Sequence, residues 1–167
     1  PTRHETHGGR SSGRNRSSRS GKRRGGSTGH AGNPQSRPAR RAPAAPLGLI
    51  LAPTRELAVQ IDESITEYGK HTPIRHMAIY GGASRNRQID ELTSLPHVVT
   101  ATPGRLLDLL GEDYLTLRRV AYFVLDEGDR MMDMGFIPDV RRIIEKIETV
   151  PQAAVFSATM PKEIEEL

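Results

Sequence analysis

The stretch Val120–Asp129, VAYFVLDEGD, is the most informative part of this sequence. It opens with an apolar run of the length of a buried strand, and acidic residues follow at the carboxyl end of that run. Open α/β sheets bind their ligands outside the carboxyl ends of their strands. An Asp placed there can hold Mg²⁺ through its water shell, and an adjacent Glu can orient or deprotonate a water, as phosphoryl-transfer ATPases require. An isolated acidic pair, however, is more often a solvated turn or a helix cap.

Three further apolar runs end in polar strings of a similar kind. They are Leu49–Ala52 before PTRELA (53–58), His97–Ala101 before TPGR (102–105), and Ala153–Phe156 before SAT (157–159). A fourth run, Ile74–Tyr80, ends at Gly81 and Gly82. Segments with helical spacing separate these runs, and strands that alternate with helices predict an α/β fold. We therefore expect a mostly parallel sheet with helices on both faces.

The helical segments have recognisable starts and stops. Thr54 is a candidate N-cap for a helix that ends at Gly69, and its predicted apolar face contains Leu57, Ile61, Ile65 and Tyr68. A second helix is predicted over Ser84–Leu92, and a third runs from Pro103 to Gly111. A fourth begins near Pro138, shows Val140, Ile143, Ile144 and Ile147 at helical spacing, and is closed by Pro151.

As a set, the polar strings resemble the motifs of the DEAD-box RNA helicases. PTRELA, TPGR and SAT match three of those motifs, DEGD (126–129) resembles DEAD itself, and the two glycines and DMGF (133–136) match further family elements. The resemblance covers residues 47–167. It implies a partial RecA-like domain of the P-loop NTPase type, with ATP and Mg²⁺ as cofactors, RNA as partner, and ATP-dependent RNA unwinding as activity.

The resemblance also implies a track for the RNA backbone. Its members are Pro53, Thr54, Arg55, Gly81, Gly82, Thr102, Pro103, Gly104 and Arg105. Backbone N–H groups at helix starts can bind a phosphate, arginines add charge-assisted contacts, and glycine allows a close approach. Such contacts carry little base specificity. Taken one at a time, the same residues are more typical of helix caps, turns and surface arginines, whereas taken together they favour an RNA track.

The remaining motif residues imply the chemistry. Asp126 would hold Mg²⁺ through water, and Glu127 would act on the attacking water. Ser157 and Thr159 would hydrogen-bond Asp129 and thereby couple the nucleotide site to the RNA track.

The chain departs from the family pattern in three ways. Gly128 stands where the family has alanine, a change that we expect to be tolerated. No G-x-x-x-x-G-K-[ST] string is present to hold the phosphates, and the sequence ends at Leu167 without a second domain. We therefore expect no effective ATP hydrolysis by this chain alone. Two alternatives stay open: a non-catalytic RNA-binding protein, and an inactive gene fragment.

Residues 1–46 differ from the rest of the chain in composition. They contain no Val, Ile, Leu, Met, Phe, Tyr or Trp, and they hold 11 Lys and Arg against one acid, a net charge of +10. Residues 47–167 hold 13 Lys and Arg against 19 acids, a net charge of −6. A segment without large apolar side chains is predicted to be disordered. Three interpretations of residues 1–46 stay open: a solubilising extension, an RNA-binding arm, or a segment that is not native coding sequence.

Composition excludes several other classes of protein. The chain has no cysteine, so disulfides and thiolate metal sites are ruled out, and its histidines lack metal-ligand spacing. No apolar stretch approaches the roughly 18 residues of a membrane span, and no signal segment opens the chain. We expect a cytoplasmic monomer.

Overall fold

The computed structural model describes residues 42–167. Most of the basic segment that is predicted to be disordered lies outside these residues. The elements in chain order are β1 (Gly48–Leu51), α1 (Arg55–Gly69), β2 (His76–Ile79), α2 (Arg85–Leu92), β3 (Val98–Ala101), α3 (Pro103–Gly111), β4 (Tyr122–Leu125), α4 (Gly128–Asp133), α5 (Ile137–Ile144), β5 (Gln152–Val155) and α6 (Lys162–Glu165).

The strands form one parallel sheet in the order β2-β3-β1-β4-β5. Their registers are aligned, so that Leu51 of β1 stands beside Ala101 of β3 and Leu125 of β4. The carboxyl ends of all the strands therefore meet along one edge. The predicted α/β class with a mostly parallel sheet is confirmed.

One face of the sheet carries the main core. Side chains alternate between faces along a strand, so Leu49, Leu51 and Leu125 point to the same side. There they pack in one cluster with Leu106 of α3 and Val140 of α5, and all of these side chains are fully buried. The apolar residues that were predicted at helical spacing on α3 and α5 make these contacts.

Helices pack on both faces of the sheet, as predicted, but the described residues cover the opposite face only in part. Helix α1 lies over β2 and β3, and an apolar groove of about 610 Å³ opens beside it. Ile50, Val98 and Val124 line this groove together with Ile65 of α1. On this face Ile50 and Val124 are only partly buried, and Tyr122 of β4 is 59% exposed.

Several local predictions need correction. Tyr68 is 81% exposed rather than part of the buried face of α1, and its neighbours Thr66 and Glu67 are exposed as well. Helix α5 ends at Ile144, before Ile147, although Ile147 still packs against the core. The short helices α4 and α6 were not anticipated, since neither is long enough to show a periodic pattern.

The described structure begins before residue 47, the predicted start of the folded part. Ala44 is 2% exposed and belongs to the core cluster. Its N–H donates to the Tyr114 carbonyl, and its own carbonyl accepts from the Thr116 N–H. Nothing in the sequence around Ala44 indicates this bridge, because the bridge depends on residues 114–116, which are distant in the chain.

Candidate nucleic-acid and nucleotide interface

The polar strings lie along the carboxyl edge in a spatial order that differs from their order in the chain. Gly81 and Gly82 follow β2, TPGR follows β3 and PTRELA follows β1, so these strings occupy three neighbouring strand ends. DEGD follows β4, and SAT follows β5. Hydrogen bonds continue the ladder beyond the strands, from Thr102 N to Ile79 O and from Asp126 N to Leu51 O. The edge therefore places the predicted RNA residues side by side, next to the predicted catalytic ones.

The PTRELA string starts helix α1 as predicted. The Thr54 hydroxyl accepts a hydrogen bond from the Leu57 N–H at 3.2 Å and so caps the helix. Pro53 is buried, whereas Arg55 is exposed. The Arg55 guanidinium stacks over the Tyr80 ring at 5.0 Å, which links this string to the end of β2. This stacking holds the charged guanidinium of Arg55 in a defined position at the protein surface.

The glycine pair forms an exposed turn. Gly82 has a φ of +78°, a conformation that a side chain strains, and Gly81 has open space where a Cβ would stand. Both residues therefore present bare backbone to solvent, as the RNA prediction requires.

The TPGR string starts helix α3, although the details differ from simple capping. Thr102 is the N-cap residue but makes no side-chain cap hydrogen bond, and Pro103 is buried in the first turn. Gly104 is exposed. Arg105 is mostly internal: its side chain is 14% exposed, and its Nη1 donates to Gln88 Oε1 at 3.1 Å and to the Ala83 carbonyl at 3.4 Å.

Gln88 is a site residue that sequence analysis missed. It is buried on α2 at 3% exposure, and its Nε2 donates to the Tyr80 carbonyl at 3.1 Å. A signal was present in the sequence, because Gln88 precedes the buried Leu92 by one helical turn and so is a polar residue on an apolar face.

The acidic pair has an unusual backbone. Glu127 adopts φ +48° and ψ 55°, a left-handed conformation that few residues other than glycine adopt. Asp126 Oδ1 accepts a hydrogen bond from the Glu127 N–H at 3.0 Å, and Glu127 Oε2 pairs with Arg130 Nη1 at 3.1 Å. Strained backbone of this kind is concentrated at functional sites.

Asp129 joins the ends of β4 and β5, as the coupling prediction requires. Its N–H donates to Ser157 Oγ at 2.9 Å, and its Oδ2 accepts from the N–H and the hydroxyl of Thr159 at 3.1 and 3.3 Å. Burial alone would raise the pKa of Asp129. The hydrogen bonds from the Arg130 and Thr159 N–H groups and from the Ser157 and Thr159 side chains outweigh burial and lower that pKa below its ordinary value.

Gly128, the departure from the DEAD pattern, fits this arrangement without needing to be glycine. Its N–H donates to the Phe156 carbonyl at 3.0 Å. A Cβ at this position would stand 3.4 Å from Ile164 Cγ2 and 3.5 Å from Ser157 Oγ, which is ordinary contact. The space for an alanine side chain is therefore present.

Comparison with known proteins agrees with this geometry. The DEAD/DEAH box helicase family profile matches residues 35–167. This chain belongs to the DEAD/DEAH box helicase family. It is similar to the ATP-dependent RNA helicase dbp2 of Schizosaccharomyces pombe, with 52% identity over 122 residues that cover 73% of this chain and 22% of that protein. The Candida glabrata DBP2 helicase shows 50% identity over the same coverage.

A solved structure shares the fold of this DEAD-box chain. The crystal structure of a hypothetical ATP-dependent RNA helicase from Sulfolobus tokodaii superposes with a TM-score of 0.69 at 35% identity. The match covers 72% of this chain and 36% of that one. The chain thus spans about a fifth of the yeast relatives' length and about a third of the archaeal chain. Its sheet is that of a RecA-like domain.

The acidic end of this DEAD-box sheet suits Mg²⁺ in its donor chemistry. Within residues 42–167, Asp126 Oδ2 accepts no hydrogen bond, and a carboxylate oxygen is the hard ligand that Mg²⁺ prefers. No group of three or more potential ligand side chains surrounds it in the described residues. A cavity of about 270 Å³ adjoins Asp126, Glu127 and Ser157.

Among residues 42–167, no helix combines the length and the apolar character needed to cross a membrane.

Proposed function

We propose that this chain is part of an ATP-dependent RNA helicase in which RNA binding and ATP hydrolysis are coupled to local duplex unwinding. One observation carries the proposal. The ends of β2, β3 and β1, which carry the groups suited to a phosphate, adjoin the ends of β4 and β5, which carry acidic and hydroxyl side chains. Asp129 joins the ends of β4 and β5 through hydrogen bonds with Ser157 and Thr159. An enzyme that couples RNA binding to nucleotide chemistry needs this adjacency.

RNA would lie across the ends of β2, β3 and β1. Arg55 offers an exposed charge, and the turn at Gly81 and Gly82 offers close backbone approach. The first turns of α1 and α3 offer N–H groups to a phosphate. All of these groups address the sugar–phosphate backbone, so we expect little dependence on base sequence.

Nucleotide chemistry would take place at the end of β4. Mg²⁺, held through water by Asp126, would neutralise charge on the phosphates. Glu127 has its carboxylate beside Arg130, where it can orient or deprotonate a water. Positioning supplies much of the rate in phosphoryl transfer, and the 167 residues contain no phosphate loop. The chain would therefore need additional protein to hydrolyse ATP.

A segment exchange tests this proposal. The 122 residues of the fission yeast helicase that align with this chain are replaced by their counterpart from this chain. We expect the hybrid to show RNA-stimulated ATPase activity, because the hybrid supplies the rest of the protein around the acidic edge. Glu127→Gln in the hybrid should abolish the activity, and Glu145→Gln, at an exposed acid just beyond the end of α5, is the matched control.

Two results would contradict the proposal. One is a folded hybrid without RNA-stimulated activity, and the other is full activity in the Glu127→Gln hybrid. RNA-stimulated ATPase in the 167-residue chain alone, lost in Glu127→Gln, would instead show that the phosphate loop is not needed.

A second candidate function is RNA binding without hydrolysis. The specific observation that favours it is the charge of residues 1–46, net +10, together with the missing phosphate loop. Each phosphate neutralised contributes roughly −0.7 to the log–log salt dependence of binding to single-stranded RNA. Deletion of residues 1–41 should therefore weaken binding and flatten the salt dependence. Unchanged affinity and slope would exclude an RNA-binding role for that segment.

A cytoplasmic location and a monomeric state stay predictions.

A further inference from the structure

We propose that Gln88, which no motif includes, is a positioning residue of the RNA face. Its buried amide fixes the turn of Gly81 and Gly82 relative to Arg105. This role rests on the proposed RNA binding and adds to it a residue that holds the binding groups in fixed positions relative to one another.

The amide of Gln88 is paired at both ends. Its Oε1 accepts from Arg105 Nη1 at 3.1 Å, and its Nε2 donates to the Tyr80 carbonyl at 3.1 Å. The side chain is almost fully buried, so an unpaired end would keep its full desolvation cost. A buried amide that is satisfied at both ends has only one favourable orientation. Gln88 therefore links α3 to the end of β2 in a defined geometry.

Arg105 is committed to this link. Its Nη1 also donates to the Ala83 carbonyl at 3.4 Å, one residue beyond the glycine pair, and little of its side chain reaches solvent. An arginine that made its main contact with RNA would be expected to present its guanidinium to solvent. Arg105 therefore contributes to the RNA face chiefly by holding the turn of residues 80–83 against the start of α3.

The link extends to the third RNA string through Tyr80. The carbonyl of Tyr80 is held by Gln88, and its ring supports the guanidinium of Arg55 at 5.0 Å. One buried amide thus connects the strings that follow β1, β2 and β3. Binding groups held in place before RNA arrives lose less conformational entropy on binding, which increases affinity.

Site-resolved crosslinking of the full 167-residue chain tests this role. A uridine oligonucleotide is crosslinked by ultraviolet light, and the yield is measured on tryptic peptides. Cleavage after Arg75 and Arg85 releases the peptide of residues 76–85, which contains Tyr80 and both glycines. Peptides from residues 1–41 provide the internal reference. Gln88→Met should lower the yield on 76–85 relative to that reference by about fivefold, equivalent to one net hydrogen bond.

Three variants separate positioning from general destabilisation. Gln60→Met makes the same substitution at an exposed site on α1 and should leave the yield ratio unchanged. Val140→Ala removes methyl groups from the core at α5 and should lower the melting temperature without changing the ratio. Gln88→Glu keeps an acceptor for Arg105 but loses the donor to Tyr80, so it should restore part of the yield.

The outcomes distinguish this inference from the proposed function. A normal yield on residues 76–85 in Gln88→Met would overturn the positioning role and leave RNA binding intact. An equal loss in Val140→Ala would also overturn it, because the effect would then follow stability alone. If the unmodified chain crosslinks only through residues 1–41, the proposed RNA face is wrong, and the role of Gln88 is wrong with it.

Discussion

The two halves of the carboxyl edge differ in how completely the described residues enclose them. At the RNA half, formed by the ends of β2, β3 and β1, the buried Gln88 is bonded to Arg105, whose side chain is 14% exposed. At the nucleotide half, β5 is an outer strand, and Val155 and Phe156 are 38% and 58% exposed. The groups that we propose to bind RNA are therefore held by buried contacts, whereas the groups that we propose for nucleotide chemistry lie beside exposed residues.

Core truncations in the two halves should give the largest difference. Leu106→Ala removes a fully buried side chain beneath the RNA half, and it should lower the free energy of unfolding by about 2–5 kcal/mol. Val155→Ala on the outer strand should cost less than about 1 kcal/mol, because water already reaches the valine. Urea unfolding measures both values. Equal costs would mean that the nucleotide half is as tightly packed as the RNA half.

A glycine substitution at the RNA half should have the next largest effect. Gly82→Ala places a side chain at φ +78° and should cost about 1–2 kcal/mol of stability. Gly81→Ala is the matched control, since its Cβ would meet no atom within 4 Å. Thermal unfolding of the two variants decides the point. If Gly81→Ala were the more damaging of the two, the backbone description of this turn would be wrong.

The corresponding change at the nucleotide half should act in the opposite direction. Gly128→Ala should raise the free energy of unfolding by about 0.5–1 kcal/mol, because alanine restricts the unfolded chain and favours helix α4. The new methyl would make ordinary contacts with Ile164 and Ser157. The same unfolding assay applies. A loss of stability would show that Ile164 cannot accept the methyl group.

The smallest expected effect is the pH dependence of the stability that Asp129 contributes. The folded-state pKa of Asp129 is lowered from an unfolded value of about 3.9, so its stabilising contribution is present above about pH 4 and is lost as the pH falls through the folded pKa. The stability difference between the unmodified chain and Asp129→Asn should therefore shrink between pH 7 and pH 3. Asp133→Asn, exposed on the same helix, is the control. A difference that stays constant with pH would contradict this account of Asp129.

Strands and long helices could be predicted from the sequence because their signals are local. Apolar runs set β1 to β5 within a residue or two, and Thr54 caps α1 as its position indicates. The contact of Asp129 with Thr159 was expected from the resemblance to the family's motifs. The strands and helices themselves follow from the properties of short segments.

The features that escaped prediction depend on partners distant in sequence. Gln88 is buried only because Arg105 and Tyr80 meet it in the folded chain. Ala44 enters the core only because residues 114–116 pair with it. The left-handed backbone of Glu127 has no signature in composition, since nothing about a glutamate favours it. In each case tertiary contacts decide the outcome.

The open groove beside α1 has a practical consequence for anyone who handles the protein. Environment-sensitive dyes fluoresce when they enter apolar clefts, and this groove of about 610 Å³ offers Ile50, Val98 and Val124 to such a dye in the native state. Dye-monitored melting curves should therefore start from a high signal and show little rise on unfolding. Circular dichroism, which does not depend on dye binding, is the better probe for every stability comparison above.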